Sequence, residues 1–94
     1  MAEVADNPAL NRYELVVDGV TAFVEYRRTG GVIELTHTEV PKALSGRGIG
    51  TALARGTLDR IRDEGLTVRP LCPFIAAFIE RHPDTADLVA ADRG

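Results

Sequence analysis

The chain has 94 residues, 45% hydrophobic and 27% charged, enough for one domain with a thin core and too apolar for wholesale disorder. Eleven Lys and Arg against fourteen Asp and Glu leave a net charge of −3, the wrong sign for a general nucleic-acid or anionic-membrane surface. No apolar run approaches the ~20 residues of a membrane helix, the start MAEVADNPAL has no apolar signal core, and the lone Cys72 excludes a disulfide framework or cysteine zinc cage.

Residues 1–10 read as a flexible N-terminal arm, and residues 11–94 as a single domain. Arg12 to Val17 alternates as a strand, Asp18-Gly19 is a two-residue hairpin signal, and Val20 to Arg27 returns. Thr29-Gly30-Gly31 makes a second turn before a third strand, Val32 to Val40. Strict alternation places Ile33, Leu35, His37 and Glu39 on one face of it, and Val32, Glu34, Thr36, Thr38 and Val40 on the other. Pro41, with no N–H for a ladder, ends it.

Ile49 to Glu64 has helical periodicity, with Ile49, Leu53, Ala54, Leu58 and Ile61 on the apolar half. Arg55–Asp59 and Arg60–Glu64 stand at ion-pair spacing, and Gly65 sits where a helix ends. Thr67 to Leu71 is a short fourth strand. Pro73 opens a second, mostly apolar helix, Phe74 to Arg81, which needs tertiary packing to persist. His82-Pro83 stops it, and Asp84 to Ala91 reads as one more frayed turn or short helix. The order β-β-β-α-β-α predicts an α+β fold: a mixed, mostly antiparallel sheet packed with helices.

Chemistry concentrates in Ser45-Gly46-Arg47-Gly48-Ile49-Gly50-Thr51, between a strand end and a helix start. The first N–H groups of a helix lack internal partners and carry partial positive charge. Alternating glycines expose further N–H groups, so the segment suits a phosphate or pyrophosphate. Arg47 adds charge and Thr51 a hydroxyl. The Lys-Ser/Thr of a Walker loop is missing, and the spacing does not match a dinucleotide fingerprint. A glycine-rich turn that merely packs helix on sheet accounts for the same residues.

Val40-Pro41 followed by Gly46-Arg47-Gly48-Ile49-Gly50-Thr51-Ala52-Leu53 resembles motif A of the GNAT superfamily of acyl-CoA-dependent N-acetyltransferases. Leu71-Cys72-Pro73-Phe74-Ile75-Ala76-Ala77-Phe78-Ile79-Glu80-Arg81-His82-Pro83 is similar to a small single-domain branch of it. The resemblance covers roughly residues 12–90. It implies a minimal GNAT-like fold binding acetyl-CoA or another acyl-CoA as co-substrate, with an amine as acceptor. The pyrophosphate would lie on Gly46 to Thr51, and pantetheine along Thr38 to Val40. The thioester would lie near Cys72 and Phe74.

The chain also departs from the family pattern. Ser45 stands where a Gln or Arg usually precedes the glycines. Cys72 and Ile79 replace the usual Asn and Tyr of the second helix, Phe78 carries no hydroxyl, and the helices that form an acceptor pocket are missing. Cys72, at a helix N-cap, reads either as a nucleophile taking the acyl group or as a buried thiol. His37, with Glu39 on its face, reads as a general base or a structural histidine. His37, Cys72 and His82 are too scattered for a metal site. The expectation is a cytoplasmic acyltransferase, monomer or homodimer, without metal, membrane or nucleic-acid partner. The alternative is a non-catalytic CoA-thioester-binding or protein-interaction module that keeps the fold.

Overall fold

The computed structural model describes residues 3–90. Five strands form one sheet in the order β1-β2-β3-β4-β5: Ala5–Asn7, Arg12–Val17, Val20–Thr29, Val32–Glu39 and Thr67–Pro70. The first three pairings are antiparallel; β5 runs parallel to β4 after the crossover helix α1, Ile49–Asp63. Helix α2, Pro73–Arg81, follows, then a 3₁₀ helix, Pro83–Leu88. This is the predicted mixed α+β architecture.

Local chemistry accounts for most boundaries. Asp18 and Gly19 both adopt positive φ, 52° and 75°, as the primed turn between Val17 and Val20 requires. Helix α1 ends in a Schellman motif, with Gly65 N–H donating to Arg62 O and Leu66 N–H to Ile61 O. Proline at the first position opens α2, with Cys72 as its N-cap.

One face of the sheet is covered. Tyr13, Leu15, Ala22, Val24, Ile33, Leu35 and Val68 pack against Leu53, Leu58 and Ile61 of α1 and Ile75 and Phe78 of α2 in a single core. Two hydroxyls inside it, on Tyr13 and Thr57, have no hydrogen-bond partner among the described residues. Burial, reinforced by the carboxylates of Glu64 and Asp6, pushes the Tyr13 phenol well above its ordinary range. The opposite face is polar. Arg12 pairs with Glu14 at 2.6 Å and lies over the Phe23 ring, and Glu34 is held between Arg27 and Arg69.

Three expectations are corrected. Within the supposed flexible arm, Ala5–Asn7 is an edge strand paired with Arg12, Tyr13 and Glu14. Tertiary contacts hold it: Tyr26 Oη donates to Asp6 at 2.7 Å, Asn7 Nδ2 donates to Glu14, and Val4 is buried on α1. Burial and then the bond to Asp6 push the Tyr26 phenol up to about 12. Residues 1–2 of that arm lie outside the described ones. Arg55 does not bridge to Asp59 but reaches Asp84 at 2.6 Å, and Arg62 reaches Asp87 at 2.8 Å. These two pairs tie the 3₁₀ helix to α1.

The third correction concerns β4. Glu25 pairs with His37 and Tyr26 with Leu35, so Thr36 is an unpaired extra residue, a β-bulge. Its hydroxyl donates to Glu25 O at 3.3 Å. A bulge advances the side-chain alternation by one. Thr38, opposite the buried Val24, therefore shares the covered face with Ile33 and Leu35. His37 and Glu39 turn to the open face and are exposed.

Two outcomes follow from this packing. An alanine Cβ at Gly56 would overlap Val4 Cγ2, which outweighs the ~1 kcal/mol that alanine normally adds to a helix interior. Gly56→Ala should lower the thermal midpoint by about 5 °C, with a smaller loss in a Val4→Ala background. The second outcome concerns acid. Hydrogen bonds from Arg55 and Arg62 hold Asp84 and Asp87 below the ordinary carboxylate range. Folded values below unfolded ones stabilise the fold fully above about pH 5, and that contribution fades as pH falls through the folded values. Thermal unfolding from about pH 6 to pH 2 should show a declining midpoint, with a shallower decline in the Asp84→Asn, Asp87→Asn double variant.

Candidate active site

The site forms where β4 and β5 part. Their pairing runs from Val32↔Thr67 to Leu35↔Pro70 and ends with Cys72 N–H donating to Leu35 O at 2.9 Å. Strand β4 continues to Glu39. Its backbone beyond Leu35 has no ladder partner on the β5 side among the described residues. Pro70 and Pro73 explain the parting, since neither supplies an N–H and Pro73 turns the chain into α2.

Thr38 and Cys72 face each other across this opening, Thr38 Oγ1 lying 3.2 Å from Cys72 Sγ. Cys72 is 5% exposed. Val40 packs against the core beside them. Phe74, at the start of α2, reaches the first turn of α1; a Cβ on Gly50 would come within 2.9 Å of its Cζ.

Beyond β4, Pro41 caps a 3₁₀ turn, Lys42–Leu44, whose buried Leu44 anchors the loop. The Ser45 hydroxyl donates back to Lys42 O at 2.8 Å. Gly46 and Gly48 take φ of 78° and 71°, a left-handed conformation costly for a side chain bearing Cβ. Gly48 is the N-cap of α1, and no side chain caps that end. The backbone N–H groups from Gly46 to Thr51 donate to no acceptor among the described residues. They form one run of donors at the positive end of a 15-residue helix whose first turn carries no acidic residue. Ile49 turns inward against the core, whereas Thr51 is exposed. The Arg47 side chain lies 3.0 Å from Asp18 in the β2–β3 turn.

The structure thus gathers Thr38, Val40, Cys72, Phe74 and the loop from Ser45 to Thr51 around one opening. It separates His37 and Glu39 from Cys72. The pair lies on the open face, His37 Nε2 3.0 Å from Glu39 Oε1, while Cys72 and Thr38 lie on the covered one. His82 is elsewhere, stacked on Phe78 with Nδ1 against Phe78 O. Among the described residues no three His, Cys, Asp or Glu side chains gather as metal ligands. A groove of about 540 Å³ along α1, lined by Val4, Leu15, Arg55 and Asp59, touches none of these residues. Asp18, which sequence reasoning read only as a turn residue, joins the site through Arg47. Its 29-residue separation in sequence gave no signal.

The family model described as GCN5-related N-acetyl-transferase matches residues 12–88, and the chain belongs to that family. It is 40% identical over 52 residues to protein NATD1 of Bos taurus and 38% identical over 52 residues to protein NATD1 of Homo sapiens. Each match covers 55% of this chain and 46% of the relative, so the chain matches about half the length of these relatives. The solution structure of a GCN5-like protein from Staphylococcus aureus superposes with a TM-score of 0.70. That match covers 97% of this chain and 90% of the other at 22% identity, a likeness of fold.

Proposed function

We propose that the chain binds acetyl-CoA or a related acyl-CoA and transfers the acyl group to an amine. The observation that carries this reading is the meeting of two unsatisfied backbone surfaces at one opening, the N–H run from Gly46 to Thr51 and the free edge of β4 beyond Leu35. The first suits a pyrophosphate. The second suits the two amides of pantetheine, which can extend a sheet edge as an added strand. Thr38 and Val40 would flank the arm on one side, Cys72 and Phe74 on the other. A backbone N–H of β4 at the opening would polarise the thioester carbonyl.

In the transfer, the amine nitrogen attacks the thioester carbonyl carbon, the carbon–sulfur bond breaks, and the amine's proton passes to a base. His37 is placed for that on the open face. Its Nε2 contact with the Glu39 carboxylate puts the ring proton on Nε2 and leaves Nδ1 to accept another. Glu39 then stabilises the imidazolium. His37 cannot serve Cys72, which faces the other way. A covalent route through Cys72 is the second reading, favoured by its position at the α2 N-cap beside the opening. The single thiol is consistent with a reducing compartment, and we place the protein in the cytoplasm.

Calorimetric titration with acetyl-CoA should give a dissociation constant in the micromolar range, about −8 kcal/mol. Gly48→Glu should abolish binding, while Gly48→Asn, which tolerates the same backbone conformation without charge, should retain it. Absence of binding by the unaltered chain at millimolar ligand would overturn the reading. With an amine acceptor supplied, His37→Ala should lower turnover by about a hundredfold or more, whereas Cys72→Ala should keep most of it. The reverse pattern at unchanged affinity would select the covalent route.

A further inference from the structure

Arg47 contributes its backbone N–H to the loop at the start of α1, yet its guanidinium is tied to a different element. Its Nη1 lies 3.0 Å from Asp18 Oδ2, in the turn between β2 and β3. Asp18 reaches that position because the primed turn holds it at φ 52°. The turn stands at the end of the sheet where β4 leaves it, since Phe23, three residues after Val20, pairs with Glu39. The one cation within the loop itself is therefore already engaged by a carboxylate.

We propose that Asp18 competes with the phosphates of the bound ligand for Arg47, and so limits how tightly the loop holds them; this rests on the loop being the phosphate site. Both side chains are largely in water, with 47% of Arg47 and 73% of Asp18 exposed. An ion pair in that setting is weak and readily exchanged. A phosphate offers the guanidinium paired, charge-assisted hydrogen bonds that the single Asp18 contact does not. When Arg47 turns to the ligand, the Asp18 carboxylate stays beside it without its cation, within a Debye length of several negative charges. Each binding event thus breaks one contact and leaves one repulsion. Lys42, in the 3₁₀ turn before the loop, has no ion-pair partner among the described residues and carries no such penalty.

The test is a double-variant cycle in CoA affinity. Asp18→Asn keeps a residue suited to the left-handed conformation and removes only the charge. It should tighten CoA binding about two- to fivefold, the range of an exposed ion pair. At physiological salt the gain should shrink to the part owed to Asp18–phosphate repulsion when Arg47→Ala is also present, and should be missing for pantetheine, which has no phosphate. Asp18→Gly, which also suits the turn, should reproduce the gain. Unchanged or weaker CoA affinity in both Asp18 variants, at an unchanged thermal midpoint, would overturn the competition and leave the loop reading intact. A gain of undiminished size without Arg47 would overturn it as well. If neither the unaltered chain nor any variant binds CoA, the loop reading fails and the competition with it.

Discussion

The two edges of β4 are satisfied to different lengths, and the rest of the molecule is arranged around that inequality. On one side its pairing with β3 extends to Phe23↔Glu39; on the other, pairing with β5 stops at Leu35↔Pro70. The β5 chain then passes through Pro70 and Pro73, which lack the N–H that a longer ladder would need, and rotates into α2. Helix α1 spans the crossover and brings its uncapped start to the same end of the sheet. An open strand edge and an open helix start are both liabilities in a folded chain, because buried polar backbone groups must find partners. Here they lie together at the surface, where a ligand with amides and phosphates can supply what the chain does not.

The Thr36 bulge divides the labour between the two faces. It lies next to the last residue paired with β5. Downstream of it, Thr38 is directed to Cys72 on the covered face, and His37 and Glu39 are directed to solvent. Two carboxylates of the open face are matched in place, Glu14 by Arg12 and Glu34 by Arg27 and Arg69. Those pairs hold Glu14 and Glu34 below the ordinary carboxylate range through their hydrogen bonds. In the proposed transfer an acceptor amine would approach His37 from this side, with the acyl donor along the strand edge.

Short-range rules explain why so much of the fold was legible. The Asp18-Gly19 turn, the Schellman end of α1 at Gly65, and Pro73 at the start of α2 each rest on chemistry within a few residues. The glycine-rich helix start is legible for the same reason, as is the N-cap position of Cys72. Strand β1 was not legible, because Ala-Asp-Asn has no strand preference of its own. It exists through Tyr26, Glu14 and the space left by Gly56. Arg55 likewise has Asp59 at helical spacing, yet binds Asp84 from the far end of the chain.

The sequence by itself determined the order of elements, the mixed sheet and the loop of unpaired N–H groups. Turns, caps and hydrophobic periods are properties of neighbours along the chain. Only the tertiary structure decided which side chains share a space. A single unpaired residue, Thr36, reverses the face of every residue after it. Alternation read from the sequence therefore placed His37 with Leu35, and the bulge placed Thr38 there instead. Arg47 and Asp18 meet for the same kind of reason. Their contact depends on two turns stacked at one end of a sheet, a relation fixed by strand register and invisible to any local pattern.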